Sequence, residues 1–118
     1  MGPGAMIAAF LGGGTGAVLR MFVSTWLGSP WGTFCVNVVG SAILAGMLHD
    51  NIDLSPNARA LLATGLMGGL TTYSTFNHEV FMRLMAGEIT GAIGLWTATA
   101  AACLCGAWVG WRLVGALA

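Results

Sequence analysis

Residues Gly65-Leu66-Met67-Gly68-Gly69-Leu70-Thr71-Thr72-Tyr73-Ser74-Thr75-Phe76 set glycines, hydroxyls and two aromatics inside an otherwise apolar segment. Two adjacent glycines weaken a helix by roughly 1 kcal/mol each relative to alanine, and the β-branched Thr71 and Thr72 do not restore the loss. The stretch therefore predicts a break in a helix near Gly68 to Thr72. In a bilayer, unwound backbone is tolerated only where it is buried in protein or lines a water-filled path. A polar site at membrane depth follows from this reading.

The rest of the chain supports a membrane setting. Of its 118 residues 57% are hydrophobic and 7% charged, lysine is absent, and the net charge is zero. The mean hydropathy is +0.84. A soluble domain of this size needs far more charge on its surface. With about 20 apolar residues needed per crossing, polar interruptions mark four windows, about 5–27, 31–48, 56–86 and 89–113. The expectation is an all-α membrane protein, one four-helix domain over residues 1–118, with the third helix broken. A span of 56–86 is too long for one straight crossing, and two half-helices joined by an unwound linker resolve both its length and its glycines. The N-terminus lacks a basic region and a small-residue cleavage site, so no removable signal peptide is expected.

Local punctuation agrees with four helices. Ser29-Pro30 and Ser55-Pro56 each read as a cap followed by proline at the first helical position. Gly12 with Gly16, and Gly106 with Gly110, stand four apart, the spacing that lets helices approach closely in lipid. Trp26, Trp31, Trp108 and Trp111 fall near window ends as an interfacial belt. Arg20 lies near the end of the first window, either reaching the surface or bonding a neighbouring helix end. On helix two, Thr33, Asn37 and Gly40 share one face, and Asn37 serves either as a bond between helices or as part of a site.

Several chemistries are excluded. The glycines at 12–16 lack the Lys-Ser/Thr pair and the preceding strand of a phosphate loop. His78-Glu79 resembles the start of a zinc-protease motif, but Met82 stands where the second histidine belongs. Cys35, Cys103 and Cys105 are odd in number and lie in apolar windows, so they read as core residues. An enzyme needs clustered acid, base or metal residues at one interface, and only His78 with Glu79 and the Asp50 loop offer any. No enzymatic activity and no nucleic-acid partner are expected.

Asn37, Thr72, Tyr73, Ser74, Thr75 and Phe76 form a candidate pathway of hydroxyl, amide and ring-edge groups without fixed charge. Such donors favour an anion, whereas cation transport normally places carboxylates at mid-membrane. Arginines divide evenly, Arg59 and Arg112 on one side against Arg20 and Arg83 on the other, so no orientation is favoured. Two copies in opposite orientations, an antiparallel dual-topology homodimer, are therefore expected. The alternative is a small dual-topology four-helix exporter of cations or drugs, which requires a carboxylate in the first span; none is present there.

Three motifs in order are similar to those of the Fluc-type (CrcB) fluoride ion channels. They are Gly13-Gly14-Thr15-Gly16-Ala17-Val18-Leu19-Arg20, Gly32-Thr33-Phe34-Cys35-Val36-Asn37-Val38-Val39-Gly40-Ser41 and the stretch from Gly68 to Phe76. The resemblance implies passive export of fluoride through two pores of an antiparallel dimer in a bacterial inner membrane. It implies Tyr73 and Phe76 as pore aromatics, Asn37 as pore amide, and Thr33 and Ser74, with Thr75 beside them, as polar contacts. It also implies a structural sodium ion at the dimer centre, held by carbonyls of Gly68 and Thr71, and structural or vestibule positions for Arg20 and Glu79. Tyr73 departs from the phenylalanine common in the family, and Thr97, Thr99 and Cys103 are the candidates for a contact on the fourth helix.

Overall fold

A computed structural model describes residues 1–117 and is helical throughout. Helix α1 spans Pro3–Leu27 and α2 spans Trp31–Met47. Helix α3 covers 56–70 in three joined parts: an α-turn at Pro56–Arg59, a wide π-helical run at Ala60–Met67 and a last turn at Gly68–Leu70. After the break come α4 at Tyr73–Met85 and α5 at Ile89–Leu117. The second crossing thus stops one residue short of the expected 48, and the fourth continues beyond the expected 113, its apolar composition giving it no reason to end there. By length and composition α1 and α5 are able to cross a membrane, and α2 is a shorter apolar helix. Helices of this length and composition suit an integral membrane protein.

The break lies at Thr71 and Thr72, and the two glycines before it stay helical. Gly68 keeps helical dihedrals (φ −62°, ψ −38°), whereas Thr71 and Thr72 are extended, with ψ of 156° and 123°. Gly69 serves packing instead, as does Gly65 a turn earlier, while Gly68 faces open space. A Cβ on Gly69 would stand 2.3 Å from the Gly13 carbonyl oxygen, and one on Gly65 would stand 2.7 Å from that of Ala9. From the other side, a Cβ on Gly12 would stand 2.1 Å from the Leu61 carbonyl oxygen, and one on Gly16 would stand 2.2 Å from that of Leu66. Helices α1 and α3 therefore meet backbone to backbone, as small residues permit where no hydrophobic effect pulls helices together. The expected pair Gly106 and Gly110 does the same for α5 on α2: a Cβ on Gly110 would fall 1.9 Å from the Ala42 carbonyl oxygen.

These two pairs, α1 with α3 and α2 with α5, are the main contacts, and α4 lies on α5. Among the described residues no large side chain is fully buried, while Phe10, Phe22, Trp26 and Leu104 point outward. Small residues inside and large apolar ones outside are the arrangement of a helical membrane protein, whose exterior meets lipid or other helices.

The turns follow their residues with one correction. Ser55 caps α3 as expected, its hydroxyl accepting from the Ala58 N–H at 3.2 Å, with Pro56 in the first turn. Ser29 does not cap α2: the helix starts at Trp31 with Pro30 in the cap position, and the Ser29 hydroxyl donates instead to Glu79 Oε2. A hydroxyl beside a carboxylate makes the stronger, charge-assisted bond. Gly87, at φ 80°, ends α4 with a paired closure, its N–H on the Leu84 carbonyl and the Glu88 N–H on that of Arg83.

Candidate functional site

Breaking a helix leaves backbone groups that lipid cannot satisfy, so each must find a protein partner. Asn37 answers for Thr72. Its Nδ2 donates to the Thr72 carbonyl at 3.0 Å and its Oδ1 accepts the Thr72 N–H at 2.8 Å, so one buried side chain pairs with both polar groups of the extended residue. Thr71 bonds back to the preceding turn, its N–H and hydroxyl both donating to the Met67 carbonyl at 3.0 and 2.8 Å. The Thr72 hydroxyl opens α4 by accepting the Thr75 N–H at 3.2 Å. Arg20, half-buried on α1, donates from Nε to the Gly69 carbonyl at 3.1 Å, fixing the last turn of α3 from the opposite side. Among the described residues the carbonyls of Gly68 and Thr71 accept no hydrogen bond.

Beside the break is an open groove of about 320 Å³, in which Asn37, Thr72, Tyr73, Phe76, Trp96 and Thr99 converge. Phe76 is buried and Tyr73 70% exposed, their rings 6.1 Å apart and inclined at 55°, so the phenol stands at the surface of the single chain. Thr99 is buried on α5 and its hydroxyl has no partner. An unpaired donor at this depth carries a desolvation cost of about 1–3 kcal/mol. One Asn37 N–H hydrogen also remains beyond the one given to Thr72.

Of the seven pathway residues named from sequence, the groove gathers Asn37, Thr72, Tyr73 and Phe76. Thr33 is buried one turn before Asn37 on α2 and outside the lining, and Ser74 and Thr75 are exposed at the start of α4. Among the fourth-helix candidates, Thr99 and Cys103 line the groove, while Thr97 is exposed and bonds back to the Ile93 carbonyl at 2.7 Å. Sequence reading passed over Trp96. Its signal was position, since the other four tryptophans lie near window ends and this one does not. Glu79 lies apart, in a second cavity of about 410 Å³ shared with Ser29, His78, Arg83 and Glu88; its Oε1 is buried without a partner. The Arg83–Glu88 pair there is exposed at 3.6 Å and contributes little to stability.

Fold and groove together define a small helical membrane protein whose broken helix presents uncharged donors and aromatic rings to one face. Comparison with known proteins places it further: the family described as "CrcB-like protein, Camphor Resistance (CrcB)" matches residues 7–111, and the chain belongs to that family. Similar proteins include the "Fluoride-specific ion channel FluC" of Anaeromyxobacter sp. (strain K), 36% identical over 96% of this chain and 97% of its own length. The protein of the same name from Aquifex aeolicus is 42% identical over 72% of this chain and 76% of its own. That of Variovorax paradoxus is 38% identical, covering 96% of each. These relatives bear the name of a channel and not of an enzyme.

Proposed function

We propose that this chain is a passive fluoride channel, working as an antiparallel dual-topology homodimer in a bacterial inner membrane. The observation that carries the proposal is the break itself, held open by Asn37 and flanked by the Phe76 ring and the unpartnered Thr99 hydroxyl. Fluoride holds its water tightly, so a path must exchange that water for donors and then let go. The free Asn37 N–H, the Thr99 hydroxyl and the positive ring edges of Tyr73 and Phe76 supply a series of such weak sites. Chloride suits the same donors, and the relatives' names favour fluoride.

In this reading Thr33, Ser74 and Thr75 belong to the path as completed by the second copy, which closes the open side of the groove over the exposed Tyr73. The same assembly brings together the free carbonyls of Gly68 and Thr71 from both chains. Unwound carbonyls are suitable ligands for sodium, and Gly68, exposed and with nothing within 4 Å of an added Cβ, leaves room for it. Sodium would neutralise the carbonyl dipoles and tie the two breaks together. Arg20 and Glu79 act structurally or at a mouth.

Liposomes loaded with potassium fluoride and carrying the purified protein should release fluoride faster than chloride, as read by ion-selective electrodes. Phe76→Ile keeps the bulk and removes the ring edge. Loss of an interaction of about 1.4 kcal/mol corresponds to a flux about tenfold lower. Equal fluoride and chloride release, or unchanged flux in the variant, overturns the proposal. Dual topology has its own test: single cysteines placed in the 49–55 loop should react with an impermeant thiol reagent from both faces of native membranes, and one-sided labelling refutes it.

A further inference from the structure

A cavity unrelated to the groove lies at the other end of α5, beside the connection that follows α2. It measures about 280 Å³ and is lined by His49, Trp111, Arg112, Gly115 and Ala116. The His49 ring leans on Trp111, with centroids 4.3 Å apart at 44°. Its Nδ1 accepts the Asn51 N–H at 3.0 Å, which places the imidazole proton on Nε2. That Nε2 stands 2.9 Å from where a Cβ on Gly115 would be, so residue 115 admits the imidazole because it is glycine. Arg112 lies over the Trp108 ring, 5.6 Å from its centroid, an arrangement that occupies the guanidinium face and leaves its N–H edge free.

The four arginines differ in what they touch. Arg20 bonds the Gly69 carbonyl and Arg83 pairs with Glu88, whereas Arg59 and Arg112 have no acceptor among the described residues, and of these two only Arg112 lines a cavity. Asp50, next to His49, is exposed and outside the cavity lining. One and two turns inward on the same side of α5 lie Trp108 and Leu104, 63% and 73% exposed. Two N–H donors, one of them cationic, thus crown an apolar, outward stripe at the end of a membrane helix. The donors suit a phosphate oxygen and the stripe suits a hydrocarbon chain.

We propose that His49 and Arg112, beside the Trp111 ring, form a binding site for the phosphate of an anionic phospholipid headgroup, with an acyl chain lying along Trp108 and Leu104. Free inorganic phosphate would satisfy the donors and leave the stripe unused, so the lipid is the ligand.

The test is native mass spectrometry of the full chain purified in detergent and offered phosphatidylglycerol, phosphatidylcholine or inorganic phosphate. Phosphatidylglycerol should be retained in preference to phosphatidylcholine. R112Q should lower that retention about tenfold, the loss of one charge-assisted bond, and R112K should recover part of it. R59Q, which removes an arginine at the start of α3, should retain phosphatidylglycerol as the unaltered chain does. Fluoride release and the unfolding midpoint of R112Q in phosphatidylcholine should stay unchanged, separating this site from the pathway and from a folding defect. Full retention in R112Q, an equal loss in R59Q, or displacement of the lipid by inorganic phosphate each overturns the proposal.

Discussion

Gly16→Ala is expected to lower the stability of the detergent-solubilised protein by about 3 kcal/mol, the upper part of the range for overpacked sites. The added Cβ would stand 2.2 Å from the Leu66 carbonyl oxygen, 2.7 Å from the Leu70 nitrogen and 3.0 Å from the Gly69 carbonyl carbon. All three are backbone atoms of α3, so no rotamer change relieves the clash. Helix α1 must withdraw by about an ångström, and the Arg20 bond to the Gly69 carbonyl, one turn further along, is drawn out with it. Gly14→Ala is the matched control. It lies two residues away on the same helix, exposed, with nothing within 4 Å of an added Cβ, and should raise stability by about 0.5–1 kcal/mol through helix propensity. Thermal unfolding of the two variants side by side decides the matter. Equal midpoints would mean that α1 and α3 do not touch through their backbones.

The same glycines explain where sequence reading succeeded and where it stopped. The spacing of Gly12 with Gly16 and of Gly106 with Gly110 announced close helix pairs, and both pairs make backbone contacts. Gly68 and Gly69, read locally, announced the break. A glycine looks alike whether it interrupts a helix or admits a neighbour, and the neighbour that Gly69 admits, Gly13 on α1, lies 56 residues away in sequence. Within the expected 68–72 the break falls on the β-branched Thr71 and Thr72, whose hydroxyls bond local backbone in place of the continuing helix. Ser29 failed as a cap for a related reason: its competitor for hydrogen bonds, Glu79, lies 50 residues on. Ser55, with no such competitor, caps its helix as its local sequence requires. Candidate groove residues on one face of α2 or α4 were legible from periodicity. That Thr99 rather than Thr97 completes them depended on the rotation of α5 against α2, which Gly106 and Gly110 set through contacts with Val38 and Ala42.

Asn37→Leu is expected to cost about 2–6 kcal/mol and to stop most fluoride release, with the two losses arising together. Leucine matches asparagine closely in shape, so packing on α2 changes little and the hydrogen bonds are what is removed. The Thr72 N–H and carbonyl then lose their partners at 2.8 and 3.0 Å, and each group left unpaired in a low-dielectric interior costs about 1–3 kcal/mol. The extended conformation at Thr72 has no other bond to its own backbone groups among the described residues, so the break is expected to loosen or re-form. Hydrogen exchange should report this at one position, the Thr72 amide, protected in the native chain and exposed in the variant. Ser41→Ala supplies the comparison. It removes another polar group from the same groove, but one whose hydroxyl only bonds back to the Asn37 carbonyl at 2.6 Å, and it should change stability by less than about 0.5 kcal/mol. An Asn37→Leu protein that lost flux while keeping native stability and a protected Thr72 amide would confine Asn37 to touching the ion. A variant altered in none of the three would remove Asn37 from both roles, and with it the argument that this groove is a pathway held open at the break. The expected joint loss instead makes the residue that secures the broken backbone the same one that offers its remaining N–H to the anion.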